Sequence, residues 1–193
     1  KTGTIGHIGS TSFFPSKNLG CYGDGGALMT NDDNLAQKMR MIANHGQEKK
    51  YYHKVLGCNS RLDTIQAAIL NIKLNYLDQY STARNKMASY YDEAFSAIQE
   101  LESPARQQNS THVFHQYTMK VKNGKRNELQ QYLLELGIPS MIYYPLPLYK
   151  QEAFQQFVSA DFSFATTEQL CDEVLSLPIH TEMNIEEMNY VCT

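Results

Sequence analysis

One lysine in a glycine-dense turn is the residue of this chain best suited to covalent chemistry. Ser12-Phe13-Phe14-Pro15-Ser16-Lys17 runs into Asn18-Leu19-Gly20-Cys21-Tyr22-Gly23-Asp24-Gly25-Gly26, and a β-like run, Ala27-Leu28-Met29-Thr30, follows. A lysine amine is protonated near neutral pH and attacks carbonyls poorly until desolvation or neighbouring positive charge frees its lone pair. Glycines have no Cβ, so their backbone approaches a flat ligand closely and tolerates positive φ. The hydroxyl of Ser12, five residues upstream, can hold a phosphate oxygen while Lys17 reaches an aldehyde of the same molecule. Pyridoxal 5′-phosphate (PLP) carries both groups, and its ring is the electron sink that amino-group transfer requires. Beside this stands a bland reading, in which a lysine flanked by Ser and Asn is an ordinary turn residue.

Two other phosphate-binding patterns fail here. Gly20-x-x-Gly23-x-Gly25-Gly26 has no Gly-Lys-Ser/Thr ending, and its glycines precede a strand where a dinucleotide fingerprint would precede a helix. Composition narrows the classes further. At 193 residues, 42% apolar and with a formal net charge of −3, the chain suits a globular protein of one large or two small domains. Its Lys and Arg residues are dispersed, which argues against a nucleic-acid partner. No run approaches a membrane span and no charged-then-apolar leader opens the sequence, so a cytoplasmic protein is expected. Cys21, Cys58, Cys171 and Cys192 lie far apart without Cys-x-x-Cys or flanking His, and the six histidines form no ligand pattern. Reduced thiols and no metal are expected.

The elements that must position the lysine turn follow from periodicity. Residues 1–11 read as a connector and Ala27–Thr30 as a short strand. Asn31 or Asp32 caps a helix with an inward stripe of Leu35, Met39 and Ile42, stopped at Asn44-His45-Gly46 with Gly46 left-handed. Residues 47–60 read as a loop around Tyr51, Tyr52 and His53. Asp63 and Gln66 suit a capping box for a helix whose face carries Leu62, Ile65, Ile69, Ile72 and Tyr76. After Asp78–Tyr80 a further helix starts near Ser81 and buries Met87, Tyr90 or Tyr91, Ala94, Phe95 and Ile98. These two helices carry the chain from a first domain, residues 1–80, to a second, 81–193. There, residues 102–111 read as a linker, 113–121 as a half-buried strand, 127–137 as a helix closed by Gly137, and 138–144 as a strand ending at Pro145-Leu146-Pro147. Residues 152–175 and 184–192 read as helices. The second domain is then a small β-α-β unit with helical additions.

Beyond the turn, further blocks recur in order: Asn44-His45-Gly46, Leu56-Gly57-Cys58-Asn59-Ser60-Arg61-Leu62-Asp63, Gln66-Ala67-Ala68-Ile69-Leu70, Tyr144-Pro145-Leu146-Pro147-Leu148 and Leu175-Ser176-Leu177-Pro178-Ile179-His180. Together with the lysine turn, they resemble the DegT/DnrJ/EryC1/StrS family of PLP-dependent nucleotide-sugar aminotransferases over nearly the whole chain. Ser-Phe-Phe-Pro-Ser-Lys, Asn-His-Gly-Gln and Asn-Ser-Arg-Leu-Asp resemble in particular the members that aminate C3 of UDP-2-acetamido-2-deoxy-3-keto-glucuronate for bacterial surface polysaccharides. The resemblance implies an α/β fold: the C-terminal portion of a fold-type I aminotransferase, comprising the end of the large domain and a small α+β C-terminal domain. It also implies a homodimer with shared active sites, L-glutamate as amino donor and a keto UDP-sugar as acceptor.

By this resemblance Lys17 forms the Schiff base and moves the proton, Ser12 binds the cofactor phosphate, and Asn59 reaches the phosphate of the neighbouring subunit's cofactor. Arg61 faces a uronate or donor carboxylate, while His45, Tyr144 and Tyr143 belong to the sugar pocket. Each also has a local reading. Asn59 and Ser60 can start a helix, His45 can end one, Tyr144 can close a strand, and Arg61 can pair with Asp63. Tyr143 stands where close relatives carry His, which bears on the sugar and not on transamination. The resemblance covers the family's C-terminal half, without the upstream acid for the pyridine nitrogen or the stacking ring, so the isolated chain is expected to be inactive. Two other classes stay open: a non-catalytic association or folding unit, and the family's dehydratase branch, which carries His where this chain has Lys17.

Overall fold

Strand β1 (Gly9–Ser12) pairs antiparallel with β2 (Gly26–Met29) in the computed structural model, which describes residues 1–159 and 162–193. The register sets Ser12 opposite Gly26, so the lysine turn is the connection of a β-ribbon. Part of the expected connector, residues 9–11, is therefore strand. Helix α1 (Asp33–Ala43) follows, and the Asp32 carboxylate accepts from the Asn34 and Leu35 amides, two of the donors that a helix start leaves unpaired. Its buried side chain is Met41; Ile42, expected inward, is exposed.

The segment expected to be a loop contains a small hairpin, β3 (Gln47–Lys49) with β4 (Tyr52–His53), irregular at its bulge. Helix α2 (Thr64–Leu74) starts at Asp63 without a side-chain cap, so the expected capping box is absent. Of the face expected here, Ile65 and Ile72 within the helix and Leu62 and Tyr76 flanking it are exposed, and Leu70 is buried. The chain divides into two units, Lys1–Asp78 and Gln79–Thr193. Helix α3 (Leu77–Phe95) begins before the expected start at Ser81, and its break from α2 lies at Asn75 and Tyr76, not Asp78–Tyr80.

In the second unit, α3 buries Met87, Ala88, Tyr91 and Phe95, whereas Ala94 and Ile98 are exposed; Tyr91 is fully buried and Tyr90 packs half-buried against the same core. An antiparallel sheet runs in the order β5 (Leu101–Glu102), β6 (Tyr117–Val121), β7 (Val174–Leu177). β6 alternates buried and half-buried as its period-two pattern demands, but it starts four residues after Val113. Helix α4 (Arg126–Glu135) ends in a Schellman pair: Gly137, at φ +72°, donates to the Leu134 carbonyl at 2.9 Å and Ile138 to that of Leu133 at 2.8 Å.

Two expectations fail in this unit. The strand expected over 138–144 is reduced to one bridge between Met141 and Ser176. The helix expected over 152–175 resolves into a 3-10 turn at Glu152–Phe157, helix α5 (Ala165–Glu173) and then β7; its residues 160 and 161 lie outside the described ones. Another 3-10 turn spans Leu148–Lys150, and α6 (Ile185–Cys192) closes the chain behind a capping box of Asn184 and Glu187.

Tyr91, Phe114, Tyr117 and Leu175 are fully buried and centre the core. Burying side chains of this size contributes on the order of 1.5–3 kcal/mol each. Around them, polar anchors saturate irregular backbone. Arg84 donates through Nη1 to the carbonyls of Phe114, His115 and Ile179 at 2.9–3.1 Å, and Tyr91 Oη donates to Pro178 at 2.8 Å. Arg126 Nη1 reaches the Cys171 and Val174 carbonyls at the end of α5.

Candidate active site

The ribbon connection folds back on itself through backbone bonds. Phe13 donates to Gly25, Cys21 to Phe13, and Lys17 to Phe14, each at 2.8 Å. The last bond closes a turn at Phe14-Pro15-Ser16-Lys17. Ser12 Oγ accepts from the Phe14 amide at 3.2 Å, which ties the hydroxyl to the turn that carries Lys17 and leaves its proton available for donation. Lys17 is half-buried. A Cβ on Gly20 would stand 2.4 Å from the Pro15 carbonyl oxygen, so this close crossing requires glycine.

Three further side chains hold the turn. Cys21 is fully buried and its thiol lies 2.9 Å from the carbonyl oxygens of Phe13 and Gly23. Gln66, from α2, accepts the Tyr22 amide on Oε1 at 2.8 Å. Lys73, two turns further on, donates to the Gly20 carbonyl at 2.5 Å and lies over the Tyr22 ring. Sequence reasoning missed Gln66 and Lys73 as supports. Gln66 was legible as a polar residue near a helix start, but that position also suits a capping role.

A second group gathers where α1 ends. His45 (φ +60°) and Gly46 (φ +74°) are both left-handed, and a Cβ on Gly46 would overlap the Val55 carbonyl oxygen at 1.7 Å. The returning segment replaces the missing helical donors: Cys58 donates to Ile42 at 2.8 Å and Ser60 to Ala43 at 2.9 Å. His45 donates to the Cys58 carbonyl at 2.9 Å, and its own carbonyl accepts from His53 Nδ1 at 2.8 Å. Asn59 bridges to Asn44 through backbone, and its Oδ1 accepts from Arg61 Nε at 3.1 Å. Thus Arg61 turns to Asn59, not to Asp63. The pairing uses one donor of the guanidinium and the acceptor of the amide, leaving Asn59 Nδ2 and both Arg61 Nη groups as donors.

Asn59 and Arg61 line a polar cleft of about 620 Å³ with Asp63, Thr64 and Gln66. A larger cavity of about 690 Å³, bounded by Thr11, Leu28, Met39 and Arg40, contains none of the candidate residues. The chemistry of the donors makes the smaller cleft the better candidate.

Tyr143 and Tyr144 lie in the second unit, with rings edge to face at 5.8 Å; Tyr144 is 71% exposed. The structure thus joins Ser12 with Lys17, joins His45, Asn59 and Arg61, and carries the tyrosine pair on another unit. All four cysteines are free. Among the described residues, no group of three or more His, Cys, Asp or Glu is placed to hold a metal ion, and no helix is long and apolar enough to cross a membrane.

The chain is 46% identical over 191 residues to a pleiotropic regulatory protein of Geobacillus stearothermophilus, covering 98% of this chain and 51% of that protein. It is 40% identical over 185 residues to the UDP-2-acetamido-2-deoxy-3-oxo-D-glucuronate aminotransferase of Pseudomonas aeruginosa, covering 96% and 50%. The crystal structure of a DegT DnrJ EryC1 StrS aminotransferase from Brucella abortus superposes with a TM-score of 0.90 at 39% identity, covering 98% of this chain and 50% of that one. The chain spans about half the length of the curated relatives it matches. Its mixed helix-and-sheet α/β architecture is that of part of a fold-type I aminotransferase. The family model matches residues 1–193, and the chain belongs to the DegT/DnrJ/EryC1/StrS aminotransferase family.

Proposed function

We propose that the protein bearing this chain is a PLP-dependent aminotransferase that moves the amino group of L-glutamate to a keto nucleotide sugar, a UDP-linked 3-keto N-acetyl hexuronate, in surface-polysaccharide synthesis. The observation that carries this reading is the half-buried Lys17 in a turn pinned by Cys21, Gln66 and Lys73, with the Ser12 hydroxyl tied to the same turn. The similarity to the Pseudomonas aeruginosa aminotransferase supports the substrate.

The residues present fit PLP. A primary amine meets the aldehyde, and a hydroxyl with a free proton meets the phosphate. When bound, PLP supplies the sink that stabilises negative charge beside the transferred nitrogen. Lys17 Nζ would hold the cofactor by its aldehyde, and as a free amine it would serve as the general base for the proton on the donor's α-carbon. Ser12 Oγ and Asn59 Nδ2 donate to the phosphate, Asn59 across a homodimer interface. Arg61 offers its two Nη groups to a carboxylate of the sugar or of glutamate. His45, Tyr143 and Tyr144 orient the sugar, and Tyr143 in place of the relatives' imidazole alters which sugar is preferred. A half-length chain alone is expected to be inactive.

The test is borohydride reduction of the intact gene product with PLP, followed by peptide mass mapping. A phosphopyridoxyl group on Lys17 is expected. Its absence, or its placement on another lysine, overturns the assignment.

A further inference from the structure

Glu168, in the first turns of α5, gathers three donors on one carboxylate. Its Oε1 accepts from Tyr149 Oη at 2.6 Å and Ser163 Oγ at 2.8 Å, and its Oε2 meets Lys150 Nζ at 2.7 Å. Tyr149 Oη in turn accepts from the Phe164 amide at 3.0 Å, and its ring stands edge-on to Phe162 and Phe164 at 5.4 and 5.8 Å. A single exposed ion pair holds little. Here, however, the carboxylate is shared by adjacent residues of one 3-10 turn, and the phenol between them is packed, so ordering one contact orders the rest.

That turn is one end of a short span. At the other end Met141 exchanges two backbone bonds with Ser176 of β7, at 3.0 and 2.8 Å. Tyr143 and Tyr144 lie between the clamps, followed by Pro145, Leu146 and buried Pro147, and the fixed φ of the two prolines stiffens the link to Tyr149. Both clamps rest on one body, because α5 runs directly into β7 and Arg126 ties their junction through Cys171 and Val174.

We propose that Glu168 is a positioning residue: by anchoring Tyr149 and Lys150 to α5, it fixes the span that presents Tyr143 and Tyr144 to the sugar. The inference rests on the assignment of these tyrosines to the sugar pocket. Nothing in it requires Glu168 to touch a substrate. Its effect is on order, and order on a short span is what determines how well a side chain meets its ligand.

The experiment uses Glu168→Ala, Glu168→Gln and Tyr149→Phe in the intact gene product, with circular dichroism confirming the fold. In Glu168→Ala, hydrogen exchange of the amides of 142–150 is expected to quicken by about tenfold while the α3 amides stay unchanged. KM for the keto sugar is expected to rise by about tenfold, with the glutamate half-reaction unaltered. Glu168→Gln, which keeps the acceptor for Tyr149 and Ser163 but drops the charge, is expected to lie between. Tyr149→Phe reproduces the loosening should Glu168→Ala fail to fold. Unchanged exchange over 142–150 overturns the anchor, and equal losses in both half-reactions overturn the positioning role. A gene product that turns over no keto sugar instead fails the proposed function, and its exchange data still judge the anchor.

Discussion

The Gln66 side-chain oxygen accepts the amide of Tyr22, 44 positions away in sequence, at 2.8 Å, so a residue of α2 holds the ribbon connection that carries Lys17. Removing it in Gln66→Ala leaves the amide to solvent and is expected to destabilise the first unit by about 1 kcal/mol. Urea unfolding measures this. The same variant is expected to slow borohydride trapping at Lys17, which a purely global loss of stability would not do under native conditions.

Gly46 and Gly124 both have positive φ, but a Cβ on Gly46 would overlap the Val55 carbonyl at 1.7 Å, whereas one on Gly124 meets nothing within 4 Å. Gly124→Ala is expected to lose about 1 kcal/mol, the price of the left-handed backbone alone. Gly46→Ala is expected to lose several times more, roughly 3 kcal/mol or above, because backbone must move. Chemical denaturation of the two variants side by side checks the ratio, and equal losses would contradict the crossing at Gly46.

Arg84 is buried and satisfies three carbonyls; burial lowers its pKa from the ordinary guanidinium value without removing its charge. Arg84→Met keeps the stem and deletes every donor. An expected loss of about 3–5 kcal/mol follows from the carbonyls of Phe114, His115 and Ile179 left dry. Melting of the second unit reports it, and a loss below 1 kcal/mol would place those carbonyls in contact with water.

Hydrogen bonds from Lys150, then Tyr149 and Ser163, push the Glu168 carboxyl down to about 2 from its ordinary 4.5. Its folded pKa is depressed, so its contribution is present above pH 4.5 and drains away as pH falls toward 2. Glu168→Gln has no such titration. Stability against pH is therefore expected to fall more steeply for the parent than for the variant in this window, and parallel curves would contradict the cluster.

Asn59→Asp preserves the backbone bridge to Asn44 and sets a charge where the proposed phosphate contact lies. PLP titration of the intact gene product, followed by absorbance, is expected to show affinity weaker by about tenfold, or roughly 1.4 kcal/mol. Unaltered affinity would remove Asn59 from the phosphate site.

Structure that depends on neighbours in sequence is partly legible from the residues alone: the helix starts at Asp32 and Asn184 and the stop at Gly137 agree, while the capping box expected at Asp63 is absent. Asp32 caps α1 and Asn184 heads α6 because a short acceptor at a helix start meets the first free amides. Gly137 closes α4 because only a residue at ease with positive φ continues such a turn. The helix expected over 152–175 takes in Val174 and Leu175, which belong to β7: Val174-Leu175-Ser176-Leu177 is buried on every residue, and so short a run lacks the strict alternation that separates strand from helix. The β3–β4 hairpin was missed because its residues are polar and its shape depends on Gly46 meeting Val55.

The candidate site divides in the same way. By itself the sequence determined that Ser12 and Lys17 lie close along the chain and that a single residue separates Asn59 from Arg61, since spacing of a few residues limits where backbone can go. Only the tertiary structure decided that Gln66 and Lys73 brace the lysine turn, that Arg61 turns to Asn59 and away from Asp63, and that Glu168 holds Tyr149 and Lys150. Those contacts join polar groups with several possible partners, and which one each meets is set by how distant elements pack, a quantity that no local pattern contains.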